Sequence, residues 1–316
     1  MSGRIQRYFS PHSSVRFWHL PVGYEERAFF REPAFYYLDF SAKLKYRGPF
    51  DALGRPLLDY TGKIGIQYNP CAVAQYGLGA LYDHGKSGSR RSLDISLSMS
   101  DWLVEHISHI TDGNRFSVWL YDFDLDAYDI KAPWQSALSQ GQGISLLSRA
   151  YAITGNAKYA DTASRAFESF LIDVGKGGVR RTIAEGVVFE EAPTRRLSCI
   201  LDGFIFGLFG LYDLHIFQRH AGAFHEWNQA VETLERILPQ FEMRFWSRAD
   251  LYNQRPKMIA SPFYHKLHIL QLRVLHRITQ KDIFRVYSDR WNTYASNPLY
   301  FCAALIYKIF FKLAYY

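Results

Sequence analysis

Cysteine is scarce in this chain: Cys71, Cys199 and Cys302 are the three in 316 residues, an odd number set far apart, without a CxxC pair or zinc-finger histidine spacing. That excludes a disulfide framework and gives no structural zinc site. Charge is sparse too. Charged residues make up 21% of the chain against 48% apolar ones, which excludes a disordered solvating segment. Lys and Arg (37) exceed Asp and Glu (30) by only +7, too little for a nucleic-acid-binding tail, so no nucleic-acid partner is expected. From Met1 to Pro21 there is no continuous apolar stretch; Arg4, Arg7, His12 and Arg16 are mixed with serines. That absence argues against a secretory signal and for a cytoplasmic chain.

What is abundant is aromatic: Phe, Trp and Tyr reach 17% of the residues. Such rings either fill cores or form flat platforms for sugars and bases. Residues 1–65 alternate aromatic, charged and Pro/Gly positions without helical period and read as an irregular or β-rich arm. From Cys71 the apolar period becomes helical. It predicts helices over Ala72–Leu81, Leu93–Ile107, Trp134–Tyr151, Ala157–Leu171, Ser198–His215, Phe224–Leu238, Pro262–Ile278, Asp282–Tyr294 and Pro298–Leu313. Ser261-Pro262 and Asn297-Pro298 each offer a capping side chain before a proline at the first helical position. Strand or hairpin character is expected at Gly177–Glu191, around Glu185-Gly186, and at Phe241–Tyr252.

The helix at Phe224 carries one apolar stripe, whereas that at Leu201 is apolar all round and carries Gly203, Gly207 and Gly210 on neighbouring turns, where another helix can approach. Alternating outer and buried helices suggest concentric layers: a mainly α fold, an incomplete (α/α) toroid over residues 66–316 behind the 1–65 arm, with β-hairpin segments at its rim. The last helix, almost wholly apolar except for Lys308 and Lys312, is expected to dock on its own domain or on a second subunit, as in a homodimer, with both lysines in water. Peripheral membrane contact is the alternative.

Three groups of residues could carry chemistry. On the helix from Pro262, Lys266, Arg273 and Arg277 share one side, and Tyr264, His268 and Gln271 stand opposite, facing inward. They form either a satisfied buried network or a cavity-lining row. Glu190 and Glu191 precede Arg195 and Arg196 on what is either an exposed charged loop or a site. Trp134 with Gln140 and Gln142 offers an aromatic platform and amides suited to sugar hydroxyls, or simply a helix start.

Pro133-Trp134, Ser136-Ala137, Gln140-Gly141-Gln142, Arg149-Ala150-Tyr151, Glu190-Glu191 before Pro193, Gly210-Leu211-Tyr212-Asp213-Leu214, and Tyr264-His265 with His268-Ile269 and Gln271-Leu272 together resemble the C-terminal catalytic domain of heparan-type D-glucuronyl C5-epimerases. Ala74-Gln75-Tyr76-Gly77-Leu78 resembles the segment entering that domain, so the likeness covers about residues 65–295. It implies a cleft for an anionic uronate-containing polysaccharide such as heparosan, inversion of D-glucuronate to L-iduronate at C5, and no cofactor or metal. The family's paired acid and base correspond to Glu191 and Tyr264. Ala192 stands where the animal enzymes usually have Tyr, Trp246 replaces a further tyrosine, and their long N-terminal β-domains find no room here. An ordinary Glu, with pKa about 4.3, is an ionised base at neutral pH and Tyr, near 10, a ready acid. Arg195, Arg196, Arg248 and His268 are expected to make the cleft electropositive and to stabilise an enediolate. A lyase removing the same H5, or an inactive polysaccharide-binding protein, are the rival readings.

Overall fold

The computed structural model describes residues 14–110 and 116–315, with the side chains of residue 127 and of 312–315 outside that description; Arg4, Arg7, His12 and the Lys312 side chain thus lie beyond it. Ten α-helices dominate the described residues: α1 (Ser14–Trp18), α2 (Pro70–Ser87), α3 (Arg90–Glu105), α4 (Ala137–Thr154), α5 (Ala157–Phe167), α6 (Leu201–Gln218), α7 (Ala221–Ile237), α8 (Pro262–Thr279), α9 (Asp282–Ser296) and α10 (Pro298–Tyr315). Sheets among these residues are two-stranded antiparallel ribbons. The fold is therefore mainly α.

Local chemistry sets the boundaries. The Ser261 hydroxyl accepts from the Tyr264 amide and Pro262 opens α8, while the Asn297 carboxamide accepts from the Leu299 amide at the start of α10. α4 starts later than its period suggests. Ser136 is extended and caps Leu138, so Trp134 and Gln135 instead form a strand against Leu120–Tyr121. The hairpin is present as Arg180–Ile183 paired with Gly186–Phe189, whereas the segment 241–252 makes only isolated bridges, Glu242 to Ser247 and Arg248 to Ile259.

Sequence-adjacent helices pack as pairs: α2 with α3, α4 with α5, α6 with α7, and α8 with α9. The first members also touch in succession, α2 on α4, α4 on α6 and α6 on α8. The α4–α6 crossing depends on missing side chains. A Cβ on Gly141 would overlap the Phe206 carbonyl and Gly207, and one on Gly210 would overlap the Gly141 backbone. Phe204, Ile205, Leu208, Phe209 and Leu211 of α6 are fully buried. The arm joins the same core through Phe17, Tyr36, Leu38, Phe40, Tyr46 and Leu58.

The terminal helix departs from expectation. No described helix is long and apolar enough to cross a membrane. α10 seats Ala304 and Phe311 inward, but Leu299, Ile306, Ile309 and Phe310 are exposed. Lys308 lies on the same line as Ala304 and Phe311, one turn from each, so its amine turns inward and donates to the Ile259 carbonyl at 2.5 Å. Water was the expected environment for that lysine; the side of the helix that docks decides otherwise.

Candidate active site

The N-terminal ends of α6 and α8 and the loop after the 180–189 hairpin converge on one site. From the hairpin come Glu190 and Glu191, adjacent in sequence and opposite in role. Glu190 is fully buried and satisfied: one carboxylate oxygen accepts from the Arg181 guanidinium (2.6 Å) and the Ser198 amide (3.1 Å), the other from the Ser198 hydroxyl (2.5 Å) and the Cys199 amide (2.8 Å). It locks the loop. Glu191 Oε2 is buried without a hydrogen-bond partner among the described residues. It lies against Gly203 of α6, where any Cβ would overlap that carboxyl group, so the glycine is what lets α6 pass.

Two further carboxyls face Glu191. Asp202 opens α6, and Asp250 accepts from the Tyr128 hydroxyl (2.8 Å) and the Tyr252 amide (3.2 Å). Burial first, then the charges of Asp202 and Asp250, push the Glu191 carboxyl well above the carboxylate range. Burial raises Asp250 to about 6. Tyr264, half-buried on the first turn of α8, is held protonated by burial and by the nearby Asp202 and Glu191. The carboxyl and the phenol thus share one electrostatic neighbourhood. Tyr264 and Asp202 line a small pocket together with Trp18, Phe40, Lys43 and Gln75.

The polar row on α8 is present. Lys266, Arg273 and Arg277 are exposed, while His268 and Gln271 are fully buried. Gln271 donates to the Asp202 carbonyl (2.9 Å). His268 meets the Ser247 hydroxyl through Nδ1 (3.0 Å), and its Nε2 lies 3.7 Å from Asp202, too far for a hydrogen bond. The row is part network, part cavity wall.

Several residues read as sugar contacts are placed elsewhere. Gln140 is fully buried, its oxygen accepting from the Trp119 amide and its nitrogen donating to Ser117, Ala166 and Ser169. Gln142 is buried beside the Cys71 thiol. Gln140 thus ties α4 to its neighbours, whereas the Gln142 nitrogen is buried without a hydrogen-bond partner among the described residues. Trp134 stacks on Tyr121 with centroids 4.2 Å apart and donates its indole N–H to the Phe123 carbonyl, so one ring face is already covered. Trp246 is 1% exposed, stacks on His265 at 3.8 Å and donates to the Ala260 carbonyl; it is a wall behind α8. His265 itself is neutral, its pKa drawn down by burial to about 3.

The inner site is also not the basic cleft expected. Arg195 and Arg196 are exposed on the loop, and Arg248 is buried, with Nη1 donating to the Gln240 carbonyl. Burial lowers its pKa. Carboxyls dominate because α6 and the 241–252 segment each contribute one. Neither Asp202 nor Asp250 is among the residues singled out from the sequence; an acid in the first turn of a helix whose next nine residues are apolar or glycine is the available signal for Asp202.

Residues 112–293, more than half of the chain, match the model of the D-glucuronyl C5-epimerase C-terminus family. The chain belongs to this family. Among its relatives, a Caenorhabditis elegans protein named D-glucuronyl C5-epimerase is 30% identical over 212 residues, which cover 62% of this chain and 34% of the worm protein. An uncharacterized protein of Methanocaldococcus jannaschii is 25% identical over 243 residues, 72% of this chain and 78% of that one. The chain thus spans about a third of the worm protein and most of the archaeal one. The family match contains Glu190, Glu191, Asp202, Asp250 and Tyr264, and ends before α10.

Proposed function

We propose that this chain inverts C5 of D-glucuronate units within an anionic, heparosan-like polysaccharide, with Glu191 and Tyr264 as the two proton carriers on an incomplete toroid formed by the four helix pairs. The observation that carries this reading is the contrast within the acidic pair: Glu190 has both oxygens occupied, whereas Glu191 keeps a buried oxygen unpartnered among the described residues and close enough to Tyr264 to raise its phenol.

H5 lies α to a carboxylate and is weakly acidic, so its removal favours a base stronger than an ordinary Glu. Burial, with crowding by Asp202 and Asp250, supplies one, because a carboxyl that holds its proton tightly is, once ionised, the better base. The phenol of Tyr264, also held protonated, delivers a proton to the other face of the enediolate. The reverse reaction exchanges these roles. Since Glu191 must be ionised to act on glucuronate, the rate is expected to climb with pH and to level off only above the usual carboxylate range. A profile already flat from mildly acidic pH would remove Glu191 as the base.

Tyr264→Phe separates the two half-reactions. With N-acetylated and N-sulfated heparosan-type polymers in D₂O, the wild type should exchange H5 and accumulate iduronate by NMR. Tyr264→Phe should lose inversion by about 10²- to 10⁴-fold, the usual share of a general acid or base, while glucuronate H5 still exchanges through Glu191. Full inversion by Tyr264→Phe rejects its role. Unsaturated chain ends from the wild type would instead mark a lyase, since elimination starts from the same carbanion.

A further inference from the structure

Among the described residues that line the pocket shared by Tyr264 and Asp202, Lys43 is the one basic group. It comes from the N-terminal arm, outside the residues 112–293 that match the family. Its position is built in. The 3₁₀ turn Ser41–Lys45 begins at Phe40, whose carbonyl accepts from the Lys43 amide (2.8 Å) and presses on α2 at Gly79, where a Cβ would overlap it. The Lys43 side chain is 1% exposed, its ammonium nitrogen 4.4 Å from the centre of the Phe17 ring and 2.6 Å from the Phe17 carbonyl oxygen.

A buried amine with a single acceptor among the described residues is under-satisfied, since an ammonium group has three donors. Burial lowers its pKa to about 7, so the group gains most from an anion that brings both charge and acceptors. The carboxylate of a uronate ring is such an anion, and the reaction concentrates negative charge on it. Removal of H5 turns that carboxylate into an enediolate dianion, and a cation already placed there stabilises the transition state more than the ground state. Asp202, which lines the same pocket, makes such a cation more necessary, because without one its charge would repel the substrate.

We propose that Lys43 binds the carboxylate of the uronate ring being inverted, so that the arm completes the catalytic pocket of the helical domain. This rests on the function proposed above. The test measures binding of the full-length chain to a heparosan oligosaccharide and to the same oligosaccharide with its carboxyl groups reduced to hydroxymethyl. The wild type should prefer the acid form by on the order of 10- to 100-fold, the worth of a charge-assisted contact. Lys43→Met should bring that preference close to one, Lys43→Arg should keep most of it, and the reduced oligosaccharide should bind all three alike. Lys43→Gln, which retains a donor for the Phe17 carbonyl without the charge, should behave as Lys43→Met and carries the test if the methionine variant does not fold. A wild type indifferent to carboxyl reduction would overturn the uronate reading, and the Lys43 proposal with it. A wild type that discriminates, with uncharged Lys43 variants that discriminate equally, would overturn Lys43 alone.

Discussion

Glu191→Gln is expected to unfold at a higher temperature than the wild type at neutral pH while its epimerisation falls by about 10²- to 10⁴-fold. The two effects have one cause. In the folded protein Glu191 is partly buried, unpartnered at Oε2 and opposed by Asp202 and Asp250, so its carboxyl is raised well above the ordinary value. A carboxyl raised on folding gives its full stability below the unfolded value, and that stability is lost as pH rises through the folded value. Gln keeps the shape and never ionises. The stabilisation should therefore vanish below about pH 4, where both forms are neutral, and grow as pH rises, reaching on the order of 1–3 kcal/mol, the cost of a buried unpaired polar group. Thermal unfolding at several pH values reads it directly. A variant less stable than wild type across the whole range would mean that Glu191 holds the loop together, as Glu190 does, and is not a poised proton carrier.

Arg149→Met is expected to destabilise the fold by about 3–5 kcal/mol, the loss typical when one member of a buried ion pair is removed. Arg149 and Asp213 are 1% and 0% exposed as side chains and meet at 2.7 Å. The pair also ties the arm to the helices: Arg149 donates to the Phe35 carbonyl (2.7 Å), and the Tyr37 hydroxyl donates to Asp213 (2.7 Å). Without the guanidinium, Asp213 is left charged among aromatic rings. Asp213→Asn combined with Arg149→Met should recover part of the loss, because the orphaned charge is removed as well. Urea unfolding of the two variants provides the measurement, and a loss near zero for Arg149→Met would show that the pair is merely tolerated.

Much of the architecture is written in periodicity. The nine long helices follow from the spacing of apolar residues, and the proline and capping positions at 261–262 and 297–298 place two starts correctly, since those signals act within a single turn. The inward row Tyr264, His268 and Gln271 was equally legible, because helix geometry alone puts i, i+4 and i+7 on one side. Glycines at 203, 207 and 210 announced a close approach, and α4 and Glu191 occupy the space they leave. The family was legible as well, through short motifs whose order and spacing survive in this chain.

What tertiary structure alone decided is how charge and hydrogen bonds are shared. Nothing local separates Glu190 from Glu191; the folding back of Arg181, Ser198 and Cys199 onto the first leaves the second unpartnered. Gln140, Trp134 and Trp246 have the chemistry of sugar contacts, yet packing encloses them, because buried polar groups and rings are claimed by whatever elements surround them. Asp202 and Asp250, which add to burial in raising the Glu191 carboxyl, come from segments far apart in the chain. Lys43 belongs to an arm with no helical period at all. A residue's type and its helical face are properties of a few neighbouring positions, so sequence determined them; desolvation and the company of distant charges arise only when the chain has closed around the site, and those set which carboxyl holds a proton.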